Sequence, residues 1–231
     1  MNNSSGNVLF LILIAVALFA ALSYAVTSSR LSGGDTSKER LSMDAAASLS
    51  ENTASLRLAV QRMMMSGVDI TNLEFNAPAD FSNCTSSSAC VFHPSGGGAP
   101  YPRFSIGRGL GIFGGQWIFT MDYAVANVGT NGINGNDLIA FSLDIDKGIC
   151  EAINKKLGLP YNPVPVTGSQ LYSPEEIVNH NMDNNYTAPT SASAIIGSIG
   201  NLSVFSGQYE GCYLGYDTDN EYVYYSVIIS R

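Results

Sequence analysis

Four cysteines, Cys84, Cys90, Cys150 and Cys212, are the residues in this chain most open to covalent chemistry. They lack the C-x-x-C spacing that most four-cysteine zinc sites use, so disulfides are the expected chemistry. Four cysteines allow three pairings. The favoured one joins Cys84 to Cys90, closing a small serine-rich loop, and Cys150 to Cys212, tying a helix to a late strand. A second chemistry is oxygen ligation. Asp217-x-Asp219-Asn220-Glu221 has the spacing of a calcium loop and makes Asp217, Asp219 and Glu221 candidate ligands. The same residue types also suit a solvated hairpin turn. Asp144 and Asp146 resemble the beginning of an EF-hand loop, but the later acidic ligand is missing, so a helix start is expected there. Only two histidines occur, His93 and His180, and no metal cluster or nucleophilic triad is expected around them. The Gly96-Gly97-Gly98 run has neither the Lys-Ser/Thr pair nor the following helix of a phosphate loop, and reads as a mobile surface turn. No catalytic residue and no cofactor beyond calcium is expected, which points away from an enzyme.

The elements that must position these residues begin with an apolar run. Residues 8–26 (VLFLILIAVALFAALSYAV) carry no charge, no Pro and no Gly. As a helix at about 1.5 Å per residue this run is roughly 28 Å long, near the ~30 Å hydrocarbon core of a bilayer. Three readings fit it. One is a secretory signal cut after Ala25, for which Ser23 and Ala25 supply the small residues, although no Lys or Arg precedes it. Another is a single-pass anchor. The third is cleavage after Gly6, with a retained helix starting at Asn7.

A short polar leader ending in Gly and followed at once by a long apolar helix resembles the type IV pilins and the pseudopilins of type II secretion. The resemblance implies a leader over 1–6 that is removed on the cytoplasmic side. It also implies a transmembrane and filament-core helix over 7–27, held in the bacterial inner membrane before assembly and packed into a cell-surface or extracellular filament afterwards. Self-association, or co-assembly with other pilins, follows from it. Most members carry a glutamate five residues past the cut; Leu11 stands there in this chain, as a non-acidic residue does in some minor pseudopilins.

Behind this segment, 28–66 reads as a hinge and an amphipathic helix. Gly33 and Gly34 weaken the helix, Asp35, Thr36 or Ser37 caps a restart, and Leu41, Ala45, Leu49, Leu56, Val60 and Met63 recur at helical spacing from Lys38 to Met65. Met63-Met64-Met65 reads as core filler, and Gly67 ends the helix. Residues 67–231 read as an α+β head with an antiparallel sheet. Expected strands are a weak one over 68–75, then 116–125, 137–143, and a hairpin of 207–215 with 221–230, whose last strand is apolar on both faces and therefore central. A short helix follows Asp146 and stops at Gly158, and a second starts at Ser173-Pro174 within a long loop region. A strand, then a helix bearing a cysteine, then a late cysteine looks like the disulfide-bounded region of type IVb pilins.

Composition agrees with an exported, neutral-polar surface. Only 13% of residues are charged and the net charge is −8. That balance excludes nucleic acid, whose binding needs Lys and Arg to displace counterions. A filament subunit is the expected function, with a membrane-anchored or secreted binding domain that never polymerises as the alternative.

Overall fold

The computed structural model describes residues 5–31, 33–102, 115–129, 136–166, 173–182, 194–198, 200–215 and 221–231, and side chains at 10–23 and from 37 onward within these except at 175, 200 and 201. The chain divides into two compact units, Met1–Leu41 and Ser42–Arg231.

The first unit holds helix α1 (Ser5–Leu31) and the beginning of α2 (Gly33–Met65). The sequence places the second start at 35–37, behind the glycine pair, but α2 begins at Gly33 itself. Two glycines cost about 2 kcal/mol of helix propensity against alanine, which the 33-residue helix tolerates. Among the described residues no helix is long and apolar enough to cross a membrane.

The second unit is built on a four-stranded antiparallel sheet in the order β1-β3-β6-β5, with β1 Trp117–Thr120, β3 Leu138–Ile145, β5 Glu210–Leu214 and β6 Tyr222–Ile229. β6 is central, as its two apolar faces predict. One face of the sheet meets α2 through Ala45, Leu49, Leu56, Val60 and Met63, all 4% exposed or less, which pack with Trp117, Phe119, Ala140 and Tyr224. The opposite face, with Ile118, Phe141, Val223 and Tyr225, packs against Tyr123, Ile196, Leu202 and Phe205. Both faces being covered explains why β3 is buried at all eight positions. The helix is also tied to the sheet by Arg57, whose Nη2 donates to the Val227 carbonyl at 2.6 Å.

Four sequence readings need correction. Residues 116–125 form two strands: the chain breaks at Met121 and Asp122, and β2 (Tyr123–Val125) leaves to pair in parallel with β4 (Ala194–Ile196), a strand that has no clear sequence pattern. The Thr120 hydroxyl accepts from the Asp122 backbone N–H at 3.0 Å, a local turn bond that competes with the ladder. Residues 68–75 do not form a strand; Asp69 caps a 3-10 turn at Ile70–Asn72, and only Glu74 makes an isolated bridge to Cys90. Of the three consecutive methionines only Met63 is in the core, because successive helical positions rotate away from the sheet; Met65 is 88% exposed. The Gly96-Gly97 turn is not loose. A Cβ at Gly96 would collide with the Cys90 carbonyl, and one at Gly97 with the Val91 carbonyl and the Met63 sulfur, so glycine is required by close approach.

The two helix starts are as predicted. Asp146 caps α3 (Lys147–Leu157), its carboxylate accepting from Gly148 N at 2.8 Å, and Gly158 ends that helix with φ +71°. Ser173 caps α4 (Pro174–Ile177), with Pro174 at its first position.

Asp137 closes the fold at the C-terminus. It is 1% exposed, and its two oxygens accept from Val125 N at 2.8 Å and Arg231 N at 3.1 Å. Burial pushes its carboxyl above the usual carboxylate range, the two backbone donors acting the other way. The folded state therefore takes up a proton at a higher pH than the unfolded chain. This group's contribution to stability is fully present at the acid end and is lost as pH rises through the folded pKa. Asp137→Asn is expected to lose on the order of 1–3 kcal/mol, because its NH2 would face one backbone donor. In urea melts the wild-type advantage over this variant should widen as pH is lowered from 7 toward 4; a gap that narrows would contradict the assignment.

Candidate functional site

Three features of the described residues are unusual enough to carry function. The first is the surface of α1. Phe10, Leu11, Ile12, Leu13, Val16, Leu18, Phe19 and Leu22 are all 58–75% exposed. Because 10–13 are consecutive, the apolar surface wraps every side of the helix and is not a stripe. A helix apolar all round belongs in an apolar environment. Gly6 and Asn7, between which the sequence reading expects cleavage, lie in the first turn of α1 by backbone, with side chains outside the described residues.

The second feature is that both edges of the four-stranded sheet carry backbone groups already capped by other parts of the chain, at Phe119 on one edge and at Cys212 and Leu214 on the other. β5 is an edge strand whose Cys212 and Leu214 turn their backbone polar groups away from β6. Asn154 of α3, fully buried, donates from Nδ2 to the Cys212 carbonyl at 2.8 Å and accepts at Oδ1 from the Cys212 N–H at 3.0 Å. Leu214 is closed in the same way by the backbone of Val164 and Val166. At the far edge, Phe119 of β1 donates its N–H to Asn181 Oδ1 at 3.1 Å and accepts from Met182 N at 2.7 Å. An edge whose groups are already paired cannot template another strand. The disulfides reinforce this arrangement. Cys150–Cys212 fastens α3 to β5, and Cys84–Cys90 closes the serine-rich loop, both in the favoured pairing. Glu74, Cys84 and Cys90 bring ligand-type atoms together. With the sulfurs bonded to each other, the Glu74 carboxylate serves as a hydrogen-bond acceptor for Thr85 N, at 2.9 Å.

The third feature is a cluster around His180. The Nδ1 of this ring lies 2.7 Å from Asp122 Oδ2, and its Nε2 lies 3.4 Å from Glu176 Oε1. Asp122 is 7% exposed and accepts a second bond from Thr120 Oγ1 at 3.2 Å. The imidazole stands edge-on to the buried Tyr123 ring. His93, by contrast, packs on Phe81 and accepts from Ser95 N, a turn role.

The calcium reading fares differently at each residue. Asp217 and Asp219 lie outside the described residues, and Glu221 is 5% exposed at the base of β6. Asp144 is 3% exposed at a positive φ of 54° near the end of β3, and Asp146 is spent as the α3 cap, so that pair is no EF-hand start. Two cavities among the described residues also offer concave surface. One of about 550 Å³ is lined by Asp69, Thr71, Glu74, Thr85, Ser86 and Ser88. The other, of about 270 Å³, is lined by Asn76, Asp80, Asn83, Tyr101, Trp117 and Asn181. Burial, with Asp80 beside it, raises the Tyr101 phenol above its ordinary range.

The His180 cluster was only half legible in the sequence. Glu176 and His180 stand four apart and share a helical face, but nothing local connects them to Asp122, 58 residues away from His180. No protein-family model, curated protein or solved structure matches the chain.

Proposed function

We propose that this chain is a pilin-like or pseudopilin-like structural subunit that assembles into a filament through its N-terminal helix and displays the disulfide-tied α+β head. The observation that carries the reading is the all-round apolar surface of α1. Eight large side chains at about 1.5 kcal/mol each release on the order of 10 kcal/mol when buried, before the costs of association are subtracted. The occupant we infer for that surface is the same helix of neighbouring copies or of related pilins. The capped backbone groups at Phe119, Cys212 and Leu214 support this choice, since they hinder strand addition at both edges of the four-stranded sheet and favour helix packing. The reading is non-enzymatic, with the four cysteines serving the head as two cystines. Before assembly the same helix would hold the subunit in the bacterial inner membrane, with cleavage between Gly6 and Asn7.

The test is assembly. Chain expressed with a pilus-type export system is expected to begin at Asn7 and to pellet as filaments. Leu13→Arg together with Val16→Arg should reduce pelleted filament at least tenfold while the head keeps its melting temperature. A monomer starting at Val26 would overturn the reading in favour of a secreted binding domain, and filaments unaffected by the two arginines would remove the helix from the interface.

A further inference from the structure

We propose that Glu176 and His180 form a binding site for a divalent transition-metal ion of the zinc type, with Asp122 as the positioning carboxylate behind the imidazole. The argument starts with the two unequal contacts of the ring. The Nδ1 contact to Asp122 at 2.7 Å is a short, charge-assisted hydrogen bond. It places an N–H at Nδ1, so that in the neutral ring Nε2 is the nitrogen left to ligate an ion. The Nε2 contact to Glu176 at 3.4 Å is too long for a bond of that kind, which runs about 2.7–2.9 Å. It is, however, the right separation for two ligands on one ion. Donors bound at about 2.1 Å to a tetrahedral zinc lie about 3.4 Å apart.

The surroundings fit the same chemistry. A metal-ligating histidine almost always gives its other N–H to a carboxylate or carbonyl, which fixes the tautomer and the ring plane. Asp122 does this here, and it is itself held by Thr120. Glu176 and His180 are joined by fewer than two helical turns, from Pro174–Ile177 into the 3-10 turn Val178–His180. The Ser173 cap and the buried Ile177 fix that turn on the protein. The two ligand side chains remain reachable, Glu176 42% and His180 22% exposed, so an ion can enter and keep two further positions for water. An imidazole with a carboxylate suits zinc, and copper or nickel with it, better than calcium or magnesium. The proposal is independent of filament assembly and stands or falls without it.

The experiment is a zinc chloride titration of the full-length, metal-free chain in detergent micelles, followed by the ring-proton resonances of its two histidines. The His180 signals are expected to shift and saturate at one ion per chain, with those of His93 unmoved. His180→Phe should weaken binding at least 100-fold, Glu176→Gln at least tenfold, and Asp122→Asn 10- to 100-fold, the range found when an outer-shell partner is lost. Thermal melts check the fold of each variant; Glu176 is exposed, so its variant reports even if Asn at 122 prevents folding. No saturable shift of His180 up to millimolar zinc would overturn the site and leave the histidine as a simple bridge between two carboxylates. Equal zinc affinity in wild type and His180→Phe, or loss of binding in His93→Gln, would overturn it as well.

Discussion

Replacing Cys150 and Cys212 together by alanine is expected to lower unfolding stability by about 4 kcal/mol, the chain-entropy value for a bridge across a separation of 62 residues. Both residues are fully buried, and the bridge is the covalent half of the clamp between α3 and the β5 edge. For a head of this size a loss of that order lowers the melting temperature by roughly 10 °C. The comparison that makes the prediction specific is the other bridge. Cys84–Cys90 spans only six residues, so Cys84→Ala with Cys90→Ala should cost about 2 kcal/mol by the same reasoning. Urea melts of the two double variants measure both. Equal losses, or a larger loss from the short loop, would refute loop length as the controlling quantity.

The second large effect is expected at Asn154. Its amide is the non-covalent half of the same clamp, satisfying both backbone polar groups of Cys212 at 2.8 and 3.0 Å in a fully buried position. Asn154→Leu keeps the branched shape of the side chain, though with somewhat larger bulk, and removes both bonds, leaving a buried N–H and a buried carbonyl without partners. At about 1–3 kcal/mol each the loss should be about 4 kcal/mol. Asn154→Asp should be intermediate, since a carboxylate still accepts from the N–H but repels the carbonyl. Because Asn154 and the cystine converge on Cys212, combining Asn154→Leu with the cysteine replacements should cost less than the sum of the two. The triple variant also frees backbone groups of an edge strand, so it should aggregate by strand pairing where the wild-type head does not. Light scattering at matched folded fraction measures that, and an unchanged head would show that sealing the edge has no bearing on association.

The sheet's central pair was written in the sequence in an unusual way. β3 and β6 carry apolar or aromatic residues on both faces instead of strictly alternating, which already demanded cover on both faces, and the α2 stripe from Ala45 to Met63 named one of the two covers. The second cover was not legible. It comes from β2, β4 and the turn holding Leu202 and Phe205, short pieces whose patterns are too brief to separate from loop, and whose pairing is parallel and long-range. The break between β1 and β2 was hidden for a related reason: residues 117–125 are all buried, and burial alone does not reveal that a Thr–Asp turn redirects the backbone into another sheet.

By itself, then, the sequence determined those elements whose local period or residue type is strong. This covers the apolar helix, the amphipathic one behind it, the caps at Asp146 and Ser173, the stop at Gly158, the hairpin that makes β6 central, and a cysteine count that selects cystine over metal. Only the tertiary structure decided what depends on residues distant in the chain meeting in space. Asn154 and Asn181 read as ordinary polar residues until they are seen closing the two sheet edges, and His180 reads as an isolated histidine until Asp122 is found 2.7 Å from its ring. The physical reason is the same in each case. A hydrogen bond is satisfied within about 3 Å, whereas sequence spacing carries distance information only along one helix or strand.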